Sequence, residues 1–140
     1  MKAVPRPWEV GALSSAKQFH VPDGIAPPVG NGYTHAVSAG GAIYVAGQIG
    51  MEPDRTIADG FEAQARRAFE NLRVVLEAAG ATLSDIVKVT VLLVELDDLA
   101  GYRAVREDYI PHLPASTLFV VKSLAMAELL FEVDAIAVVD

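Results

Sequence analysis

The last stretch of the chain, residues 129–139, is almost continuously apolar and is interrupted only by Glu132 and Asp134. Such a run is typical of a strand that is covered on both faces of its sheet. The chain must therefore fold so that a layer packs on each side of this strand. The two acidic side chains need an explanation of their own, because burying an unpaired charge is costly.

Length and composition limit the classes of protein to which the chain can belong. Its 140 residues predict one domain, and a hydrophobic fraction of 52% is enough to form a core. The absence of cysteine excludes disulfides, thiolate nucleophiles and cysteine-based zinc sites. The net charge of −7 and the scattered basic residues argue against a nucleic-acid partner on electrostatic grounds. The chain shows no signal peptide and no apolar segment long enough to span a membrane, so we expect a cytoplasmic protein.

The middle of the chain predicts a hairpin followed by a helix. Strands over 33–39 and 42–47 flank Gly40-Gly41, which is a strong two-residue turn signal. A helix is predicted from about 60 to 79, with Asp59 and Glu62 as a capping box and Gly80 at its end. Its apolar residues recur at three- and four-residue spacing and form one face: Phe61, Ala65, Ala68, Leu72, Val75, Leu76 and Ala79.

The remaining segments complete a β-β-α-β-α-β-β order. Strands are predicted over 86–93, 116–121 and 129–139, and a second helix over 99–109. Prolines predict an irregular lead-in over residues 1–28, which leaves 29–140 as a single domain. The order predicts an α+β fold with two helices on one face of a mixed sheet. Self-association is the simplest way to cover the other face.

Four patches of sequence resemble the Rid (reactive intermediate deaminase) or YjgF family. They are Gly32–Val37 with Ile43–Ile49, Gln64–Gly80, Asp85–Val91 and Glu132–Val138. The resemblance implies a chorismate-mutase-like fold and a homotrimer around a central sheet barrel, with clefts between neighbouring subunits. It also implies hydrolysis of reactive enamines or imines to a keto acid and ammonia, without a metal or an organic cofactor.

The resemblance implies roles for three residues of such a cleft. Glu132 matches the family's carboxylate, which would orient water or move a proton; alternatively it meets solvent or pairs with a base. Tyr33 matches a cleft tyrosine that would bind substrate, and the alternative is a half-buried sheet aromatic. Gly47 matches a glycine that lets a ligand approach the backbone. Asp134 lies on the same strand face as Glu132 and would share the site or sit near its rim.

The same resemblance places a serine where the family usually carries an arginine that grips the substrate carboxylate. Ser116 and Thr117 are the substrate-binding candidates there, and a hydroxyl cannot replace a planar charged fork. Arg103 is a candidate substitute, unless it pairs with Glu107 on its own helix.

Three functions therefore remain open. The first is an enamine or imine deaminase that acts on a substrate without the usual carboxylate pose. The second is a trimer that binds a small metabolite without chemistry, and the third is an RNA-directed endoribonuclease or translation inhibitor. The histidines do not show metal-ligand spacing, and they are interpreted as strand, loop and lead-in residues: His35, His112 and His20.

Overall fold

A computed structural model describes residues 16–140 of the chain. Six strands form one sheet, and two helices, α1 and α2, lie between strands in the sequence. The elements are β1 (Gln18–His20), β2 (Ala36–Ala39), β3 (Ala42–Ile49), α1 (Phe61–Ala78), β4 (Ile86–Leu93), α2 (Leu99–Tyr109), β5 (Ala115–Val120) and β6 (Phe131–Val138). The spatial strand order is β1-β2-β3-β6-β4-β5. The pair β4–β5 is parallel and the other neighbours are antiparallel, so the predicted mixed sheet is confirmed.

The apolar C-terminal run forms β6, which lies between β3 and β4. Its alternate residues Phe131, Val133, Ala135 and Ala137 are buried and face the helices. Glu132 and every second residue after it in β6 lie on the other side of the sheet, which we call the open face. Within one chain, therefore, the helices cover one face of this central strand.

Apolar side chains remain exposed on the open face. Tyr44 of β3 is 52% exposed, and Phe119 of β5 and Val138 of β6 are exposed to a similar degree. Water-exposed apolar groups spread across three strands are unfavourable in an isolated chain and mark an interaction surface.

The β2–β3 hairpin turns at Gly40 and Gly41, whose φ angles of 58° and 83° favour glycine at both positions. The turn was predicted correctly. The strand before it begins at Ala36 and not at residue 33. Ahead of Ala36, the side chains of Tyr33 and His35 bond to the preceding loop.

The predicted capping box of α1 is wrong. Gly60 occupies the N-cap position with φ 85°, and no side chain caps the helix. Because the chain enters the helix through this left-handed glycine, Asp59 stands one residue too early to cap it. Glu62 instead pairs with Arg66 at 3.1 Å. The C-terminal prediction holds, since Gly80 has φ 85°.

The lead-in predicted over residues 1–28 is not irregular throughout. Residues 18–20 form β1, which pairs antiparallel with β2 and so adds an edge strand to the sheet. This segment escapes the disruption expected from proline because the sequence has none between Pro7 and Pro22. Residues 1–15 lie outside the described part of the chain. In the residues that the structure describes, no helix has the length and apolarity to cross a membrane.

Candidate active site

Tyr33, Gly47 and Glu132, which are far apart in sequence, line one cleft of about 390 Å³. Its volume is within the range of small-molecule sites. The other lining residues are small or apolar: Val29, Ala46, Ile49, Ala125, Met126 and Leu129. Among the described residues that line the cleft, Glu132 is the single charged group.

The central strand holds Glu132 in the wall of this cleft. β6 pairs Glu132 with Ile49 of β3 on one side and with Leu92 of β4 on the other. Burial raises the pKa of the Glu132 carboxyl above its ordinary value, and the nearby Asp134 charge raises it further. A carboxyl with a raised pKa holds a proton more readily than an ordinary one, which favours its taking up and returning a proton during a reaction.

Gly47 is required because the Glu132 carboxylate packs directly against its backbone. The β3–β6 register shifts between Val45 and Gln48, which places Gly47 in a bulge. A Cβ atom at residue 47 would overlap Oε1 of Glu132 and lie 2.7 Å from its carboxyl carbon. The absence of a side chain at this position therefore creates the space for the carboxylate.

A buried glutamine supports the part of the cleft wall that contains Leu129. The Gln64 side chain donates from Nε2 to the Glu128 carbonyl at 3.0 Å, and its Oε1 accepts from the Leu130 amide at 2.8 Å. These bonds hold both sides of Leu129, which lines the cleft. The sequence analysis did not identify Gln64 as a site residue. The available signal was a glutamine beside Ala65 on the apolar side of α1.

Tyr33 is held by one hydrogen bond and by one aromatic contact. Its phenol oxygen accepts the Val29 amide at 3.2 Å, which leaves the phenol proton available to a ligand. Its ring meets the His35 ring edge to face, with centroids 6.2 Å apart. His35 Nε2 donates to the Ala26 carbonyl at 2.8 Å, and Gln48 Nε2 donates to His35 Nδ1 at 3.3 Å.

His35 is therefore buried behind the cleft and does not line it with Glu132. His20 contacts Ser38, and His112 donates to the Ile86 carbonyl. In the described part of the chain, no three histidine, aspartate or glutamate side chains converge in a way that could hold a metal ion.

Ser116 and Thr117 do not line the cleft in one chain. The register pairs Ser116 with Val89, whose side chain is buried under the helices, so Ser116 lies on the helix side near Tyr102. Burial raises the pKa of the Tyr102 phenol, and the Arg106 charge and, to a smaller extent, the Ser116 hydroxyl lower it. The phenol oxygen makes no well-aligned hydrogen bond. Thr117 lies on the open face.

The other two candidates also lie outside the cleft. Arg103 is exposed on α2. Among the described residues it forms no ion pair with Glu107, whose carboxylate lies 3.9 Å from the Arg106 guanidinium. Asp134 is exposed beside Glu132 and accepts the Thr90 amide at 3.2 Å through Oδ1. On the same face, Thr117 accepts from Lys88 Nζ at 3.0 Å.

Comparison with known proteins gives a consistent match. The family model described as endoribonuclease L-PSP matches residues 24–139. A RutC family protein of Pyrococcus abyssi is 35% identical over 124 residues, which cover 87% of this chain and 97% of that protein. A 2-iminobutanoate/2-iminopropanoate deaminase of Rattus norvegicus is 35% identical over 81% of this chain and 84% of its own length. The crystal structure of RidA from the Antarctic bacterium Psychrobacter sp. PAMC 21119 superposes with a TM-score of 0.83 at 33% identity, covering 87% of this chain and 99% of that one.

Proposed function

The chain belongs to the endoribonuclease L-PSP family, the YjgF or Rid family of the sequence resemblance, and we propose that it hydrolyses a reactive enamine or imine with release of ammonia. The observation that carries this proposal is the convergence of Tyr33, Gly47 and Glu132 on one cleft. The relative from Rattus norvegicus that is named as an iminobutanoate deaminase supports the reaction class.

The cleft offers what this hydrolysis needs from a protein. An enamine first becomes an imine, and water then adds to the imine carbon before the C–N bond breaks. We assign to Glu132 the transfer of a proton from the attacking water to the departing nitrogen, for which its raised pKa is suited. Tyr33 would donate its phenol proton to the bound substrate, and the bare backbone at Gly47 would let the Glu132 carboxylate keep its position in the cleft wall.

We also propose that the working form is a homotrimer, with each cleft closed by a neighbouring subunit. The exposed apolar side chains of the open face support burial against other copies. Arg103, Ser116 and Thr117 lie outside the cleft of their own chain, so any contact of theirs with substrate requires a neighbouring subunit.

Replacing Tyr44 with aspartate is expected to break this assembly, because it places a charge in the centre of the apolar open face. Sedimentation equilibrium should give three times the chain mass for the unaltered protein and the chain mass for Tyr44→Asp. Ala63→Asp is the matched control, since Ala63 is exposed on α1, on the other side of the sheet. A monomeric unaltered protein, or a trimeric Tyr44→Asp, would contradict the proposed interface.

An RNA-directed activity receives less support from the charges. Four arginines already pair with acidic side chains: Arg66 with Glu62 and Asp108, Arg67 with Glu52, Arg73 with Glu70, and Arg106 with Glu107. These pairs neutralise cations that a phosphate backbone would need, on a chain with net charge −7.

The deaminase proposal is tested with imines that oxidases generate in the same vessel. We expect the protein to accelerate ammonia release above the spontaneous rate for at least one imine. A metabolite-binding trimer would instead give saturable heat in calorimetry with the imines' stable carbonyl products and no acceleration for any imine. Cleavage of a single-stranded RNA at low salt, without ammonia release, would replace the proposal by the RNA-directed alternative.

A further inference from the structure

The lining of the cleft restricts the charge of the substrate. Glu132 is the single charged side chain among the described lining residues, and none of them is basic. A substrate carboxylate bound here would meet another negative charge and no compensating cation among the described lining residues of the same chain. The apolar walls make this repulsion stronger than in water, because they lower the local dielectric constant.

The proton affinity of Glu132 is consistent with this reading. Its pKa is already raised by burial and by the Asp134 charge, so its environment disfavours additional negative charge. A cation beside it would have the opposite effect and would favour the ionised carboxylate that accepts a proton from water.

The walls also restrict the side group of the substrate. Val29, Ile49 and Met126, together with Leu129, present branched or flexible apolar surfaces to a volume of about 390 Å³. Such walls bind aliphatic or aromatic groups through burial of apolar surface and offer few partners to a polar chain.

We propose that the substrate class is the imine of an apolar primary amine, protonated as an iminium ion and lacking a carboxylate. This inference rests on the proposed deaminase function and specifies its substrate. Water adds its oxygen to the iminium carbon while Glu132 takes one proton. Glu132 returns that proton to the nitrogen of the resulting carbinolamine. The C–N bond then breaks while the hydroxyl proton passes to Glu132, and the released ammonia takes up that proton. The net reaction converts one iminium ion and one water into an aldehyde and an ammonium ion.

Two imines that differ by one carboxylate give the sharpest test. A flavin-dependent amine oxidase acting on isoamylamine produces an imine with the side chain of leucine and no carboxylate. An L-amino-acid oxidase acting on leucine produces the corresponding imino acid. Ammonia release by the unaltered protein is measured for both, and each rate is divided by the spontaneous rate of that imine.

We expect the acceleration to be about tenfold greater or more for the amine-derived imine, which corresponds to about 1.4 kcal/mol. Met126→Lys, which adds a cation to the cleft wall, should shift the preference toward the imino acid. Equal acceleration, or a preference for the imino acid in the unaltered protein, would overturn the inference and leave the deaminase function standing. A neighbour's Arg103 is the cation that such a result would implicate. If the protein accelerates the hydrolysis of neither imine, the inference is overturned, and so is the deaminase function for these two substrates. Other imines then test the deaminase function alone.

Discussion

Replacing Glu132 with glutamine is expected to lower the kcat for ammonia release about 100- to 10,000-fold, the usual contribution of a positioned general acid or base. Glutamine has the same shape and packs in the same space against Gly47, but it cannot accept a proton from water. The measurement is steady-state ammonia release with the imine that the unaltered protein hydrolyses fastest. Asp134→Asn is the matched control. Asp134 is exposed, and this substitution removes the same charge two residues further along β6. Its kcat should stay within about threefold of the unaltered value, because Asp134 acts only through the Glu132 pKa and is the smaller of the two causes of that shift.

Glu132→Gln should also stabilise the fold at neutral pH. The pKa of Glu132 is raised in the folded chain, so the native state binds more protons than the unfolded state between the ordinary pKa and the raised one. The free energy of unfolding therefore falls as pH rises through that window. Removing the carboxylate should raise the free energy of unfolding at pH 7 by about 1 kcal/mol, a common gain for a single stabilising change. Thermal unfolding should show no gain below the ordinary pKa of glutamate, and a loss of stability at neutral pH would contradict the assigned pKa shift.

Replacing Gly50 with alanine is expected to destabilise the fold by about 3 kcal/mol, at the upper end of overpacking effects. A Cβ atom at residue 50 would lie 2.5 Å from the Gln64 Cα and 2.8 Å from its carbonyl oxygen. These are backbone atoms of α1, so neither can move without shifting the helix. Denaturant unfolding measures the change, and a loss below about 1 kcal/mol would mean that β3 and α1 can separate freely.

Gly47→Ala is the matched comparison, at a position three residues earlier and within β3. Its new methyl group meets the end of the flexible Glu132 side chain and no backbone atom. The side chain can therefore swing aside, and stability should fall by less than 1 kcal/mol, as for a tolerated small-to-large change. The carboxylate would leave its position, so kcat should drop about 100-fold or more. An unchanged kcat in a folded Gly47→Ala protein would show that catalysis does not depend on the position of the Glu132 carboxylate.

The central elements of the fold could be predicted because their signals are local. The hairpin follows from two glycines that adopt positive φ, and β6 follows from an apolar run that forms a buried strand. The capping of α1 could not be predicted, since Asp59 and Gly60 both suit the N-cap and the conformation of the incoming chain decides between them. The strand β1 depends on pairing with β2, which is a long-range contact that no local pattern encodes.

The cleft could be anticipated only because the sequence resembles a known family. Tyr33, Gly47 and Glu132 meet because a bulge in β3 and the pairing of β3 with β6 bring them together. Strand alternation places Ser116 and Thr117 on opposite faces, so a motif that names both cannot specify which of them faces a ligand. Gln64 was missed because its role is to bond backbone atoms more than sixty residues away.

The number of ammonia molecules released per chain tests the central claim, that the Glu132 cleft is a catalytic site, most directly. An oxidase supplies imine at a fixed rate in excess over the protein, and the spontaneous background is subtracted. Catalysis predicts many turnovers per chain for the unaltered protein and a background-corrected rate that is at least about 100-fold lower for Glu132→Gln. Equal release by the two proteins, or less than one ammonia per chain from the unaltered protein, would contradict it.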